Sequence, residues 1–174
     1  MAWLEGFDFK TKKAPVQYPW GKLYPYFHKE KMNWASAFVT EGDVDICFMS
    51  GETGRDPMKD RPVRDANDEL TPEGGVVVSM NIEDQTRQCL KSIKAGLEEA
   101  GFTLEQIVMW RYYLVHPHMV WGFRKAFRDF CMEHCPDLIK NPRNGTLLRG
   151  VGLDLPGKML VEIEAWAVRP RKKA

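Results

Sequence analysis

Between Leu160 and Val168 the residues alternate without a break. Val161, Ile163, Ala165 and Ala167 share one parity, and Leu160, Glu162, Glu164 and Trp166 share the other. A period of two belongs to a β-strand, whose successive side chains leave opposite faces of the sheet. One face is therefore apolar and has to be covered, while the other carries both glutamates. The cover is also in the chain. Ile82, Thr86, Cys89, Leu90, Ile93, Leu97 and Ala100 fall on one helical stripe, which predicts a helix over 82–100. Asn81 is placed as its N-cap, Asp84 to complete a weaker capping box, and Gly101 as its stop. A second helix is predicted over 119–135 from Val120, Phe123, Phe127, Phe130 and Cys131, and Pro136 ends it.

Further strands are predicted at 45–51, 107–115 and 146–153, with a brief extended piece at 76–78. The order strand, strand, helix, strand, helix, strand, strand predicts an α+β domain whose helices cover one face of a sheet. The polar stretch 52–73 reads as a long surface loop. Residues 1–33 are crowded with aromatic side chains (Trp3, Phe7, Phe9, Tyr18, Trp20, Tyr24, Tyr26, Phe27) and show no clear period. They are too aromatic for a disordered tail, and are expected to lie across the domain or a neighbouring subunit, or else to roof a pocket. The expected organisation is this extension at 1–33, one domain at 34–170 and a basic tail at 171–174.

Length and charge narrow the partners. The 174 residues suffice for one domain with its own core. A formal net charge of +1 gives no bulk attraction for nucleic acid or an anionic membrane. No apolar run approaches the roughly 20 residues that span a bilayer, and the first residues do not read as a secretory signal. Cys131 and Cys135, with His134 between, invite a metal reading, but no second ligand pair stands at a suitable spacing. Together with Cys47 and Cys89 they read as free structural thiols, which fits a reducing, cytoplasmic compartment.

Four segments, in order, carry a resemblance. These are the turn Ser50-Gly51-Glu52-Thr53-Gly54-Arg55-Asp56-Pro57, the helix from Asp84-Gln85-Thr86-Arg87-Gln88-Cys89-Leu90 to Ala100-Gly101, the strand opening at Ile107-Val108, and Leu155-Pro156 followed by Val161-Glu162-Ile163-Glu164-Ala165. Together they resemble the RidA/YjgF family of reactive-intermediate deaminases. The resemblance implies a chorismate-mutase-like fold with a mixed sheet and two helices on one face. It also implies a homotrimer with clefts between subunits, and hydrolysis of an enamine or imine carboxylic acid, of 2-aminoacrylate or 2-aminomuconate type, without metal or organic cofactor.

That chemistry asks for a carboxylate to deprotonate the attacking water and a cation to hold the substrate carboxylate. By the spacing from Leu155-Pro156, the resemblance makes Glu162 the base. Gly51 falls on the turn that supplies backbone contacts, and Trp34 falls near a family tyrosine. A gapless match puts Leu147 where the family has its arginine. Arg149, two residues on and of the same strand parity, is the first candidate for that role, and Arg143, beside Pro142, the second. Arg124 stands at a family asparagine and adds a cation near the cleft. Trp34, Trp110, Trp121 and Trp166 hint at a bulkier, flatter substrate. Two other readings stay open: a non-catalytic trimer that binds small carboxylates, and the ribonuclease activity of some relatives, which the near-neutral charge disfavours.

Overall fold

The computed structural model describes residues 15–28, 31–56, 76–153 and 158–171, and the side chains of these except at 25–28, 31–34, 36, 56, 76 and 77. The described residues form ten strands: β1 Val16–Tyr18, β2 Gly21–His28, β3 Lys31–Thr40, β4 Val44–Phe48, β5 Glu52–Thr53, β6 Arg55–Asp56, β7 Val76–Val77, β8 Ile107–Leu114, β9 Asn144–Arg149 and β10 Val161–Pro170. The helices are α1 Ile82–Glu99, α2 Val120–His134 and the single turn α3 Asp137–Lys140. The fold is α+β with a mixed sheet, as expected.

Strand β10 is the spine of the main sheet, whose order is β4-β10-β8-β9, with β5 also paired to β10. It runs antiparallel to β4, β5 and β8, whereas β9 lies parallel to β8. Parallel neighbours need a crossover, and α2 with α3 provides it. The alternation read from the sequence is realised: Val161, Ile163, Ala165 and Ala167 are fully buried, and Glu162, Glu164 and Trp166 are half-buried on the other face. Cys89, Leu90, Ile93 and Leu97 of α1 and Phe123, Phe130 and Cys131 of α2 pack on the apolar face. Both main helices thus lie on one side.

Helix α1 begins and ends as its sequence predicts. The Asn81 side chain accepts from the Glu83 amide at 2.7 Å, and Gly101 takes φ 75°, a left-handed conformation that glycine adopts without strain. The capping box does not form: Asp84 accepts instead from the Ser79 hydroxyl at 2.9 Å. Gln85 is fully buried and bridges α1 to the approach to β10, donating to Ser79 and Lys158 carbonyls and accepting from the Leu160 amide.

The structure departs from the sequence reading at the N-terminal segment. Residues 16–28 are strands, and with β3 they form a second, antiparallel sheet in the order β1-β2-β3. The strand period is hidden because aromatic residues occupy both parities and Pro25, with no amide to donate, sits at a shift of register between Tyr24 and Pro25. Tyr18, Trp20 and Leu23 are buried with Ala35 and with Val168 of β10. This part of the segment packs on the domain, and β3 runs through the expected boundary at 33 and 34. The opening of the stretch 52–73 is likewise paired: β5 joins β10, and β6 joins β7. Residues 1–14, the remainder of that stretch from 57, the Leu155-Pro156-Gly157 turn and the tail 172–174 lie outside the described residues.

Candidate active site

Glu162 is held at the face of the sheet turned away from the helices. Its strand neighbours are Tyr113 of β8 and Thr53 of β5. Gly51 lies on the same parity as Thr53, and a Cβ built there would collide with the Glu162 carboxylate at Oε1. Any larger residue at 51 would displace the carboxylate. The glycine thus lets the backbone close over Glu162, and the two residues singled out from opposite ends of the sequence meet. Glu164, two residues on, accepts from the Tyr113 hydroxyl at 3.0 Å and from Arg111 at 3.5 Å. Two exposed apolar side chains, Phe48 of β4 and Leu148 of β9, border the same face, and Phe48 meets Trp166 edge-on at 5.2 Å.

Glu52, which the sequence reading left without a role, is opposite Ile163 and so faces α1. Burial raises its carboxyl above the ordinary range. Burial also pushes the Cys89 thiol well up, and the negative charges of Glu52 and then Glu162 add to the effect. The signal available in the sequence was an acid beginning a strand directly after the site glycine.

On the helix side of the sheet, α2, β8 and β9 enclose a pocket of about 270 Å3. Its walls include Trp110 and Tyr112 of β8, Phe123, Arg124 and Phe127 of α2, Gly145 and Leu147 of β9, and Arg143. Tyr112 sets the shape, with Phe123 at 5.1 Å and Phe127 at 5.5 Å, both edge-on. The aromatic residues meet because Phe123 and Phe127 are one helical turn apart, and Trp110 and Tyr112 two residues apart on a strand. The spacing was visible in the sequence, but nothing there said that the two elements face each other.

The candidate arginines separate sharply. Arg143 is buried, and all five of its N–H donors are engaged within the chain. Nε donates to Ile107 O at 2.8 Å; Nη1 to the Tyr18 hydroxyl at 2.8 Å and to Asn141 O; and Nη2 to Glu105 O at 3.0 Å and Asp137 Oδ2 at 2.7 Å. It is a structural hub that ties β1 to the crossover, with no donor left for a substrate. Burial alone would raise the Asp137 carboxyl, but hydrogen bonds from Arg143, Asn141 and Tyr18 outweigh it and hold the group below its usual range. Burial pushes the Tyr18 phenol up to about 12 despite the neighbouring guanidinium.

Arg149 is exposed at the end of β9, and no hydrogen bond or ion pair engages its side chain among the described residues. It shares its parity with Leu147, but is not part of the pocket wall. Arg124 is exposed at the mouth of the pocket, its guanidinium 5.4 Å from the Trp121 ring. Trp34 lies in β3 opposite Tyr26, and its side chain is outside the described residues. No group of three or more His, Cys, Asp or Glu placed to hold a metal occurs among the described residues. Cys131 and Cys135 are buried free thiols, and His134 packs on Phe130. No described helix is long and apolar enough to cross a membrane.

Comparison with known proteins gives the family and the fold. Residues 32–169 match the family described as endoribonuclease L-PSP. A RutC family protein of Pyrococcus horikoshii is 30% identical over 100 residues, covering 58% of this chain and 72% of its own. Among solved structures, the YjgF gene product of E. coli superposes with a TM-score of 0.50 at 23% identity, over 75% of this chain and 84% of its own. E. coli TdcF, solved with bound serine, gives 0.50 at 21% identity over the same shares.

Proposed function

The chain belongs to the endoribonuclease L-PSP family, the RidA/YjgF proteins, and from that premise we propose that it hydrolyses a reactive enamine or imine carboxylic acid to the oxo acid and ammonia. The observation that carries this reading is the seating of Glu162 against Gly51 on the open face of the sheet. Glu162 takes a proton from water as the water oxygen bonds to the imine carbon. The nitrogen of the resulting carbinolamine is protonated, the C–N bond breaks with its electron pair leaving on ammonia, and the remaining hydroxyl becomes the carbonyl. Imines already add water readily, so the demand on the protein is orientation and one base. The substrate carboxylate needs a cation with no other duty. Arg149 and Arg124 meet that condition, and Arg143 does not.

In a single chain Glu162 and the aromatic pocket lie on opposite faces of the sheet, because their strand parities differ. A second copy resolves this by bringing its own pocket to the open face, in keeping with a homotrimer whose clefts lie between subunits. Phe48 is 66% exposed, Ile46 52% and Leu148 46%, on a face bordered by Glu162 and Glu164. Such apolar area is normally covered. Light scattering at micromolar concentration is expected to give three times the 20.1 kDa of one chain. Phe48→Glu is expected to yield smaller species. A stable monomer for the wild type would remove the inter-subunit site.

A second reading is a non-catalytic trimer that binds small carboxylates, and a relative solved with serine favours it. Ammonia release from an imino acid generated in the assay separates the two. Acceleration over the uncatalysed rate supports the enzyme, and binding without acceleration supports the carrier.

A further inference from the structure

We propose that the pocket between α2 and the sheet takes a flat, conjugated carboxylate, with its anionic end on Arg124 and its π-system against Tyr112, Phe123 and Phe127. The inference rests on the deaminase reading for the fate of the bound molecule, and on the pocket alone for binding.

Size excludes the smallest candidates as good fits. A cavity of roughly 150 Å3 takes up benzene. The pocket's volume of about 270 Å3 leaves room for one ring, or a six-carbon conjugated chain, together with a carboxylate. A three-carbon imino acid would leave most of the aromatic wall uncovered. Tyr112 meets Phe123 and Phe127 edge-on, Trp110 meets Phe127 edge-on, Trp110 stacks on Tyr112 and Phe123 is tilted 38° to Phe127, so the four rings pack as one continuous aromatic wall of the pocket.

Charge selects an anion. The pocket wall holds two guanidiniums and no carboxylate. Arg143 is neutralised by Asp137, and its donors are spent. Arg124 has no ion-pair partner among the described residues, and its contact with the Trp121 ring engages the cation without consuming its N–H donors. A guanidinium so placed keeps the fork geometry that receives a carboxylate through two parallel hydrogen bonds. The Tyr112 hydroxyl has no hydrogen-bond partner among the described residues, so one polar group remains for the far end of the ligand. Burial raises the Tyr112 phenol well above its ordinary value, which keeps it a donor at neutral pH.

Three probes test the assignment by calorimetric titration of the purified protein: benzoate, benzamide as its uncharged counterpart, and acetate as charge without a ring. Benzoate is expected to bind at least about tenfold more tightly than either of the others. Arg124→Ala is expected to weaken benzoate about tenfold or more and to leave benzamide unchanged, whereas Arg149→Ala costs benzoate less. Arg124 lies on an exposed helix surface, and an unaltered circular dichroism spectrum shows that the variant folds. Equal benzoate affinity in wild type and Arg124→Ala overturns the proposal, as does acetate binding as well as benzoate, or no benzoate binding at all. Loss of benzoate binding with ammonia release intact rejects the pocket and keeps the deaminase. Benzoate binding through Arg124 without ammonia release rejects the deaminase and keeps the pocket.

Discussion

Glu162→Gln is expected to lower the rate of ammonia release by roughly 10²- to 10⁴-fold, the usual worth of a positioned general base. Glutamine has nearly the same shape, so Gly51 still accommodates it, but its amide cannot take the proton from water. The loss should fall on kcat, because the proton moves only on the way to the transition state. Glu164→Gln is the comparison on the same face. Glu164 is already bound to Tyr113 and Arg111, and its neutralisation should cost far less turnover. A Glu162→Gln protein within a factor of about three of wild type would show that another group does the deprotonation.

The second large effect concerns stability. Arg143→Ala is expected to cost about 3–5 kcal/mol, because one partner of a buried, fully bonded ion pair is removed. The Arg143 side chain is 1% exposed, and its loss leaves Asp137 without its cation and the Ile107, Glu105 and Asn141 carbonyls without their donor. Arg143→Lys should recover little, since one ammonium cannot reach partners spread around a planar fork. A pH dependence follows from Asp137, whose folded carboxyl titrates below its unfolded value. Its contribution is present above the unfolded value of about 4 and is lost as pH falls through the lower folded one. The gap between wild type and Arg143→Ala should therefore narrow in acid. Urea midpoints at pH 7 and near pH 3 check both statements, and a gap that widens in acid would contradict them.

The fate of Arg143 shows where local sequence stops being informative. Beside Pro142 and ahead of a strand, it reads as a substrate clamp second only to Arg149. What decides against that role is Tyr18, 125 residues away, together with the Glu105 and Ile107 carbonyls. No periodicity announces such contacts. The β10 alternation and the α1 stripe were legible because each reports burial on one face of a single element. The strands at 16–28 were not, because Tyr18, Trp20 and Leu23 are buried by packing with Ala35 of β3 and Val168 of β10, while the register shifts at Pro25. Within the site, Glu162 and Gly51 could be named from the resemblance, and their contact follows from β5 pairing with β10. The pocket needed the crossover geometry that lays α2 over β8 and β9. Only then does Arg124 become a lining residue rather than one more charge on a helix surface.

With the base of each proposed site on one subunit and the pocket on its neighbour, mixing two inactive variants should restore activity. Glu162→Gln subunits keep an intact pocket, and Arg124→Ala subunits keep the base. Each homotrimer should be nearly inactive at low substrate. In a mixed trimer, one of the three clefts joins an intact Glu162 to an intact pocket. Random equimolar reassembly should then restore about a quarter of the wild-type ammonia release, as expected when each site is shared between neighbours in a ring. Mixed trimers no more active than their parents would place the whole site within one chain and contradict the account.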